Sequence, residues 1–351
     1  MNPFKQPAIF LLCLIFTVSA HMRHGLRFFY DNNIFSDYSG KNDMIINAFS
    51  EGENNSSAGE GKRNIFSYAA DVQKYLLNAA EDNMRLALEY ERRKILKSGI
   101  FKIGGGTGYV HFFQKSDLRS LQMFLPLEYR RDWKNASLYF PLRFQYDLYP
   151  QSENDIFNIA FTPHYSWDPI YKITLDLLLY IKFSAQTELN HLNADFTDSG
   201  KKITGLTGGP EIKMTLNFTP AVKAGAFYRF TRHKSDYAAV TGINYIAEYD
   251  TYSHHQTGII WNGLFLKRLY ISTAAGLEGK TWDDRPAYSS PLIISSSAIR
   301  NEILFLEIDA RIRIAKIFYL GFSWTGRITD SNDYFSETRG NKASARAELV
   351  F

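Results

Sequence analysis

The sequence predicts an all-β fold, a transmembrane antiparallel up-and-down β-barrel of about 14 strands, within a range of about 12 to 16. Three observations predict it. Segment after segment alternates apolar and polar residues with period two; aromatic content is high, with 22 Tyr and 27 Phe; and the chain ends in an alternating stretch that stops on an aromatic, Phe351. Successive residues of a strand meet opposite faces, so a wall between lipid and water needs only half its residues apolar. A chain with 45% hydrophobic and 22% charged residues therefore suits such a wall, although after residue 20 no stretch reaches the roughly 18 consecutive apolar residues of a spanning helix. The formal charge of +4 over 351 residues, with no basic run, excludes nucleic acid as an expected partner.

Taken in order, residues 1–20 read as a signal peptide removed on export. Lys5 supplies the positive start, Ala8 to Val18 the short apolar core, and Val18-Ser19-Ala20 the small-residue cleavage site. The single cysteine, Cys13, lies inside it, so the mature chain is expected to hold no disulfide, thiolate metal site or cysteine nucleophile. Residues 21–64 read as a short strand around Gly25 to Asn32 plus a mobile loop or linker over 33–64, where Ser50-Glu51-Gly52-Glu53-Asn54-Asn55-Ser56-Ser57 is polar throughout. The barrel is expected to fill 65–351. Within 68–96 a helix competes through Val72, Leu76, Ala79 and Ala80, but Met84, Leu86, Leu88 and Tyr90 alternate with Arg85, Glu89 and Glu91, which favours a hairpin.

The clearest rows lie further on. Leu138, Phe140, Leu142, Phe144, Tyr146 and Leu148 oppose Arg143, Gln145 and Asp147, and Leu304, Leu306, Ile308, Ala310, Ile312 and Ile314 oppose Glu307, Asp309, Arg311 and Arg313. At 3.6 residues per turn a helix would smear both sets around its axis. Similar alternation runs through 173–182, 211–218 and 222–230, with short links at 132–135, 167–170, 219–220, 267–268 and 315–316 that mean antiparallel hairpins. Residues 237–250 read either as a strand or as a folded loop. The polar stretches 184–202, 280–300 and 329–341 are the expected long loops.

The charged face predicts the lumen. Its expected residues are Glu89, Glu128, Arg130, Arg143, Asp147, Asp176, Lys182, Glu211, Lys213, Arg229, Glu307, Asp309, Arg311, Arg313, Arg346 and Glu348. Both signs occur in near-equal number, which favours a lumen filled by cross-strand ion pairs over a charge-selective open pore. The run Gly104-Gly105-Gly106-Thr107-Gly108 lacks the Lys-Ser/Thr of a phosphate loop and reads as a bend or a close backbone approach. The eight histidines are scattered. The best cluster, Asp250-Thr251-Tyr252-Ser253-His254-His255, places its two imidazoles on opposite faces if extended, so no catalytic site, metal site or cofactor is expected.

The terminal strand, with Ala345, Ala347, Leu349 and Phe351 against Arg346 and Glu348, resembles the C-terminal assembly signal of Gram-negative outer-membrane β-barrel proteins. Arg300-Asn301 before an alternating strand, the Ala315-Lys316 turn, Thr329-Asp330-Ser331-Asn332, and the early Tyr30-Asp31-Asn32-Asn33 resemble parts of the barrels of surface lipoprotein assembly modifiers and related outer-membrane barrels. The helical-repeat domain that precedes the modifiers' barrel has no counterpart here, so the resemblance implies the barrel and not lipoprotein export. It implies a cell outer-membrane location, lipid, lipopolysaccharide and the barrel-assembly machinery as partners, and Phe351 as the assembly signal. Three functions follow as expectations: passage or export of a solute, polymer or partner protein without enzymatic activity; a closed barrel that binds a surface or periplasmic protein through its loops; and a hydrolase built on His254 or His255.

Overall fold

A computed structural model describes residues 21–32, 42–151, 155–241, 244–291, 293–336 and 338–351; the expected signal peptide, with Cys13, lies outside them. The wall strands in chain order are β1 (His21–Asp31), β2 (Asp43–Ser57), β3 (Lys62–Tyr75), β4 (Asn83–Leu96), β5 (Gly99–Phe112) and β6 (Ser120–Asp132). There follow β7 (Ala136–Leu148), β8 in two pieces (Ile156–Phe161 and His164–Ile170), β9 (Ile173–Leu192), β10 (Asp198–Thr219) and β11 (Val222–Ser235). The last five are β12 (Tyr252–Phe265), β13 (Leu269–Ser290), β14 (Ile293–Arg313), β15 (Phe318–Ser331) and β16 (Thr338–Val350). Each pairs antiparallel with the next, and β1 pairs with β16 from Arg23↔Val350 to Asp31↔Lys342, which closes the sheet. β8 is broken where Pro163 has no N–H to give; the Thr162 amide still donates to the Pro141 carbonyl at 3.2 Å and Leu179 to Pro163 at 3.0 Å, so both pieces stay in the wall.

The barrel therefore has 16 strands, not about 14. The main correction is β2: the expected loop over 33–64 is a strand from Asp43 to Ser57, in full register with β3 from Ile45↔Tyr75 to Ser57↔Arg63; residues 33–41 lie outside the described residues. Its outward row includes Ser50 and Gly52 because Tyr68 on β3 covers them. A Cβ on Gly52 would stand 2.4 Å from the Tyr68 ring. Residues 68–96 form a hairpin, with one 3-10 turn at Ala79–Glu81. The described residues of 237–250 form a folded loop that carries a small hairpin (Ala239–Thr241 with Asn244–Ile246), and assigning it to the same end as the other long connections restores the parity. The three expected long loops are corrected as well. Much of 184–202 and 280–300 is strand, since β9, β10, β13 and β14 run 20, 22, 22 and 21 residues against 13 for β7, and 329–341 narrows to a link between Ser331 and Thr338.

Register carries each face around the barrel. In the row Leu142↔Phe161↔Ile181↔Gly208 the side chains point outward, and one residue on, Arg143↔Ala160↔Lys182↔Thr207, they point inward. The concave side is identified by side chains that meet across an intervening strand: Arg311 and Asp309 on β14 reach Glu348 and Arg346 on β16. Large exposed apolar residues, among them Leu88, Leu125, Phe140, Leu179, Ile259, Leu304 and Phe322, occupy the opposite, convex side. Such an apolar band belongs in hydrocarbon and not in water. Short turns gather at one end of the barrel; the other end carries the extended hairpins and the 236–251 loop.

Candidate functional site: the charged lumen

Every residue expected in the lumen lies on the inward row of its strand: Glu89 on β4, Glu128 and Arg130 on β6, Arg143 and Asp147 on β7, Asp176 and Lys182 on β9, Glu211 and Lys213 on β10, Arg229 on β11, Glu307, Asp309, Arg311 and Arg313 on β14, and Arg346 and Glu348 on β16. The arrangement is a set of lateral ion pairs. Arg229 Nη2 lies 2.6 Å from Glu211, Lys102 2.8 Å from Glu128, Arg93 2.8 Å from Glu91, and Arg327 3.6 Å from Glu278. Glu278 also accepts a hydrogen bond from Gln256 at 2.9 Å.

The densest group straddles the closing seam. Glu348 on β16 is only 1% exposed and takes Arg23 of β1 at 2.6 Å, Arg311 of β14 at 2.8 Å and Arg346 of its own strand at 3.4 Å. Arg23 also reaches Glu51 of β2 at 2.8 Å, and Arg346 reaches Asp309 at 3.3 Å. Arg27 instead lies over the Phe49 ring at 4.1 Å. Arg23, Glu51, Arg27 and Glu278 were not picked out from sequence. The only local signal is inward parity; the partners lie up to 325 residues apart.

The glycine run shapes this face. Gly104, Gly106 and Gly108 point inward opposite Glu91, Glu89 and Ala87. A Cβ on Gly106 would meet Phe124 Cζ at 2.3 Å and the Leu88 carbonyl at 2.6 Å. The missing side chain lets the Phe124 ring lie flat on the wall, and Arg143 stacks on that ring at 4.2 Å. Gly106→Ala is therefore expected to cost about 1–3 kcal/mol, because backbone on one side leaves only the ring to move; chemical unfolding of the detergent-solubilised protein checks this.

His254 and His255 face opposite ways. His254 points inward, 3.6 Å from Glu278, and His255 points outward, with the Tyr228 hydroxyl 2.8 Å from its Nδ1. They do not form one site. Among the described residues no group of three His, Asp or Glu is placed to hold a metal ion.

No family model matches the chain, and no curated protein matches it. Solved structures do. A bacterial polysaccharide outer membrane secretin aligns with TM-score 0.53 at 8% identity, covering 94% of this chain and 98% of that one. The outer membrane protein opdK from Pseudomonas aeruginosa aligns with TM-score 0.51 at 8% identity, covering 94% and 99%. CdiB from Acinetobacter baumannii aligns with TM-score 0.53 at 8% identity, covering 94% of this chain and 60% of that one. At these identities the likeness concerns the fold, and the fold is that of the outer-membrane β-barrels.

Proposed function

We propose that the chain is an integral outer-membrane protein that passes hydrophilic solutes through a water-filled lumen, without enzymatic activity. The observation that carries this reading is the exposure of inward charges that already have partners: Arg130 is 55% exposed, Arg229 48% and Glu307 46%. The ion pairs run along the wall, within one strand or between neighbouring or next-but-one strands, so they neutralise it without filling the bore. A barrel of 16 to 18 strands is wide enough to leave an aqueous channel. The balance of signs pointed to a filled lumen; the exposure of these charges favours an open one.

The rest of the reading follows from architecture. Residues 1–20 serve as the export signal, the short turns lie in the periplasm, the long-loop end meets lipopolysaccharide, and the terminal strand to Phe351 is read by the barrel-assembly machinery. The features resembling assembly-modifier barrels add no cargo to this account. A second role, binding a partner at the long-loop end, is favoured by exposed Leu189, Phe196 and Ile293 on or beside the projecting hairpins. Deleting only the hairpin tips, 189–199 or 289–295, which lie beyond the pairing with β8 and β12, should abolish such binding and leave the wall intact.

Liposome swelling tests the main proposal. Vesicles containing the protein should admit small neutral sugars at rates that fall with sugar size; vesicles as tight as protein-free ones, with the barrel folded, would overturn it.

A further inference from the structure

The long-loop mouth of the lumen differs in charge from the wall below it. Lys182 on β9, His233 on β11 and Lys280 on β13 lie on inward rows, beyond the Arg229–Glu211 pair, linked by the register Lys182↔Thr207↔His233↔Tyr252 and His254↔Lys280. Aromatic rings fix His233 and Lys280 in place. The His233 ring stacks on Tyr252 with centroids 5.0 Å apart, its Nδ1 lies 2.7 Å from the Thr207 hydroxyl, and Lys280 Nζ lies 3.8 Å from the Tyr252 centroid and 4.2 Å from that of Trp282. Arg285 covers Tyr249 at 4.7 Å and approaches Trp282 at 5.8 Å.

Among the described residues no carboxylate lies within 4.0 Å of Lys182, Lys280 or Arg285, whereas Arg229, Arg327 and Lys102 lower in the bore each have one. Asp250 is the carboxylate whose field reaches both His233 and Lys280, and Lys182 and Arg285 add positive charge to the same space. A cation on an aromatic face stays charged and has N–H donors that the ring does not use, and a low-dielectric wall strengthens its attraction for an arriving anion.

We propose that this mouth is a capture site for small multivalent oxyanions, phosphate or polycarboxylate, held by Lys182, Lys280 and Arg285. It deepens the passage reading and relies on it for the step from capture to transport. Trp282 reports binding directly. With the solubilised full-length barrel, inorganic phosphate and citrate titrated separately should each give a saturable change in tryptophan emission, absent in Trp282→Phe. A response to one anion alone assigns the site to that chemistry.

In the Lys182→Gln, Lys280→Gln double variant, half-saturation should move up by roughly tenfold or more, while Lys280→Arg keeps near-native binding; a boiling-dependent gel shift verifies that each variant is folded. No saturable change with either anion, or an unchanged titration in the folded double variant, overturns the site. Planar-bilayer recordings separate this from the broader reading. Binding without conductance keeps the site and removes passage; conductance without binding keeps passage and removes the site.

Discussion

Glu348→Ala is expected to cost about 3 kcal/mol or more, the range for removing one partner from a buried ion pair. Glu348 is the shared carboxylate of Arg23, Arg311 and Arg346. Its loss leaves Arg23 with Glu51, Arg346 with Asp309, and Arg311 on the Tyr319 ring without its carboxylate, at the one place where the sheet must close on itself. Repulsion there acts on the β1–β16 ladder, which connects the two ends of the chain and has no hairpin to hold it. The measurement is the temperature at which the SDS-resistant form disappears on gels, together with the denaturant midpoint. Both should fall well below wild type, and Glu348→Gln should recover part of the loss because its amide oxygen still accepts from Arg23. A wild-type midpoint for Glu348→Ala would mean that the seam is held by its backbone ladder alone.

Asp43→Ala is the second large effect, expected at about 2–4 kcal/mol because several donors are orphaned together. Asp43 begins β2 at the long-loop end and is fully buried at 0% exposure. Its carboxylate accepts the amides of Leu76 and Leu77 at 3.0 Å, the amide of Asn78 at 2.9 Å and the Asn78 side chain at 2.8 Å. These bonds fold the β3–β4 connection back onto β2. In the variant, hydrogen exchange at residues 76–78 should rise strongly while the exchange of β7 and β14 stays native, and Asp43→Asn should restore part of the protection.

The strands that were legible are those whose local pattern is sufficient. In β7 and β14 an unbroken apolar row faces out and charges face in, since lipid and water impose opposite demands on the two faces along the whole element. β2 was not legible for a physical reason. Tyr68 on the neighbouring strand covers its small outward residues, and Ser50 bonds to His24 and lies near the Tyr68 hydroxyl, so apolar cover is supplied by another part of the chain. The long hairpins were hidden for a related reason: beyond the apolar band, β9, β10, β13 and β14 need no alternation, and backbone pairing such as Asn190↔Lys202 continues through polar residues. Inward parity located the charged wall, yet the seam cluster depends on Arg23 and Glu348, which only barrel closure brings together.

The most direct test is water accessibility residue by residue along one strand. With Cys13 replaced or removed with the signal segment, the chain has no other cysteine, so single substitutions can be labelled in the reconstituted barrel with a charged, membrane-impermeant thiol reagent. Arg143→Cys and Gln145→Cys should label quickly from the aqueous bore, and Leu142→Cys and Phe144→Cys should stay protected by lipid. Uniform protection of all four would contradict a water-filled lumen, and labelling of Leu142→Cys and Phe144→Cys in preference to the other two would contradict the barrel's inside-out assignment.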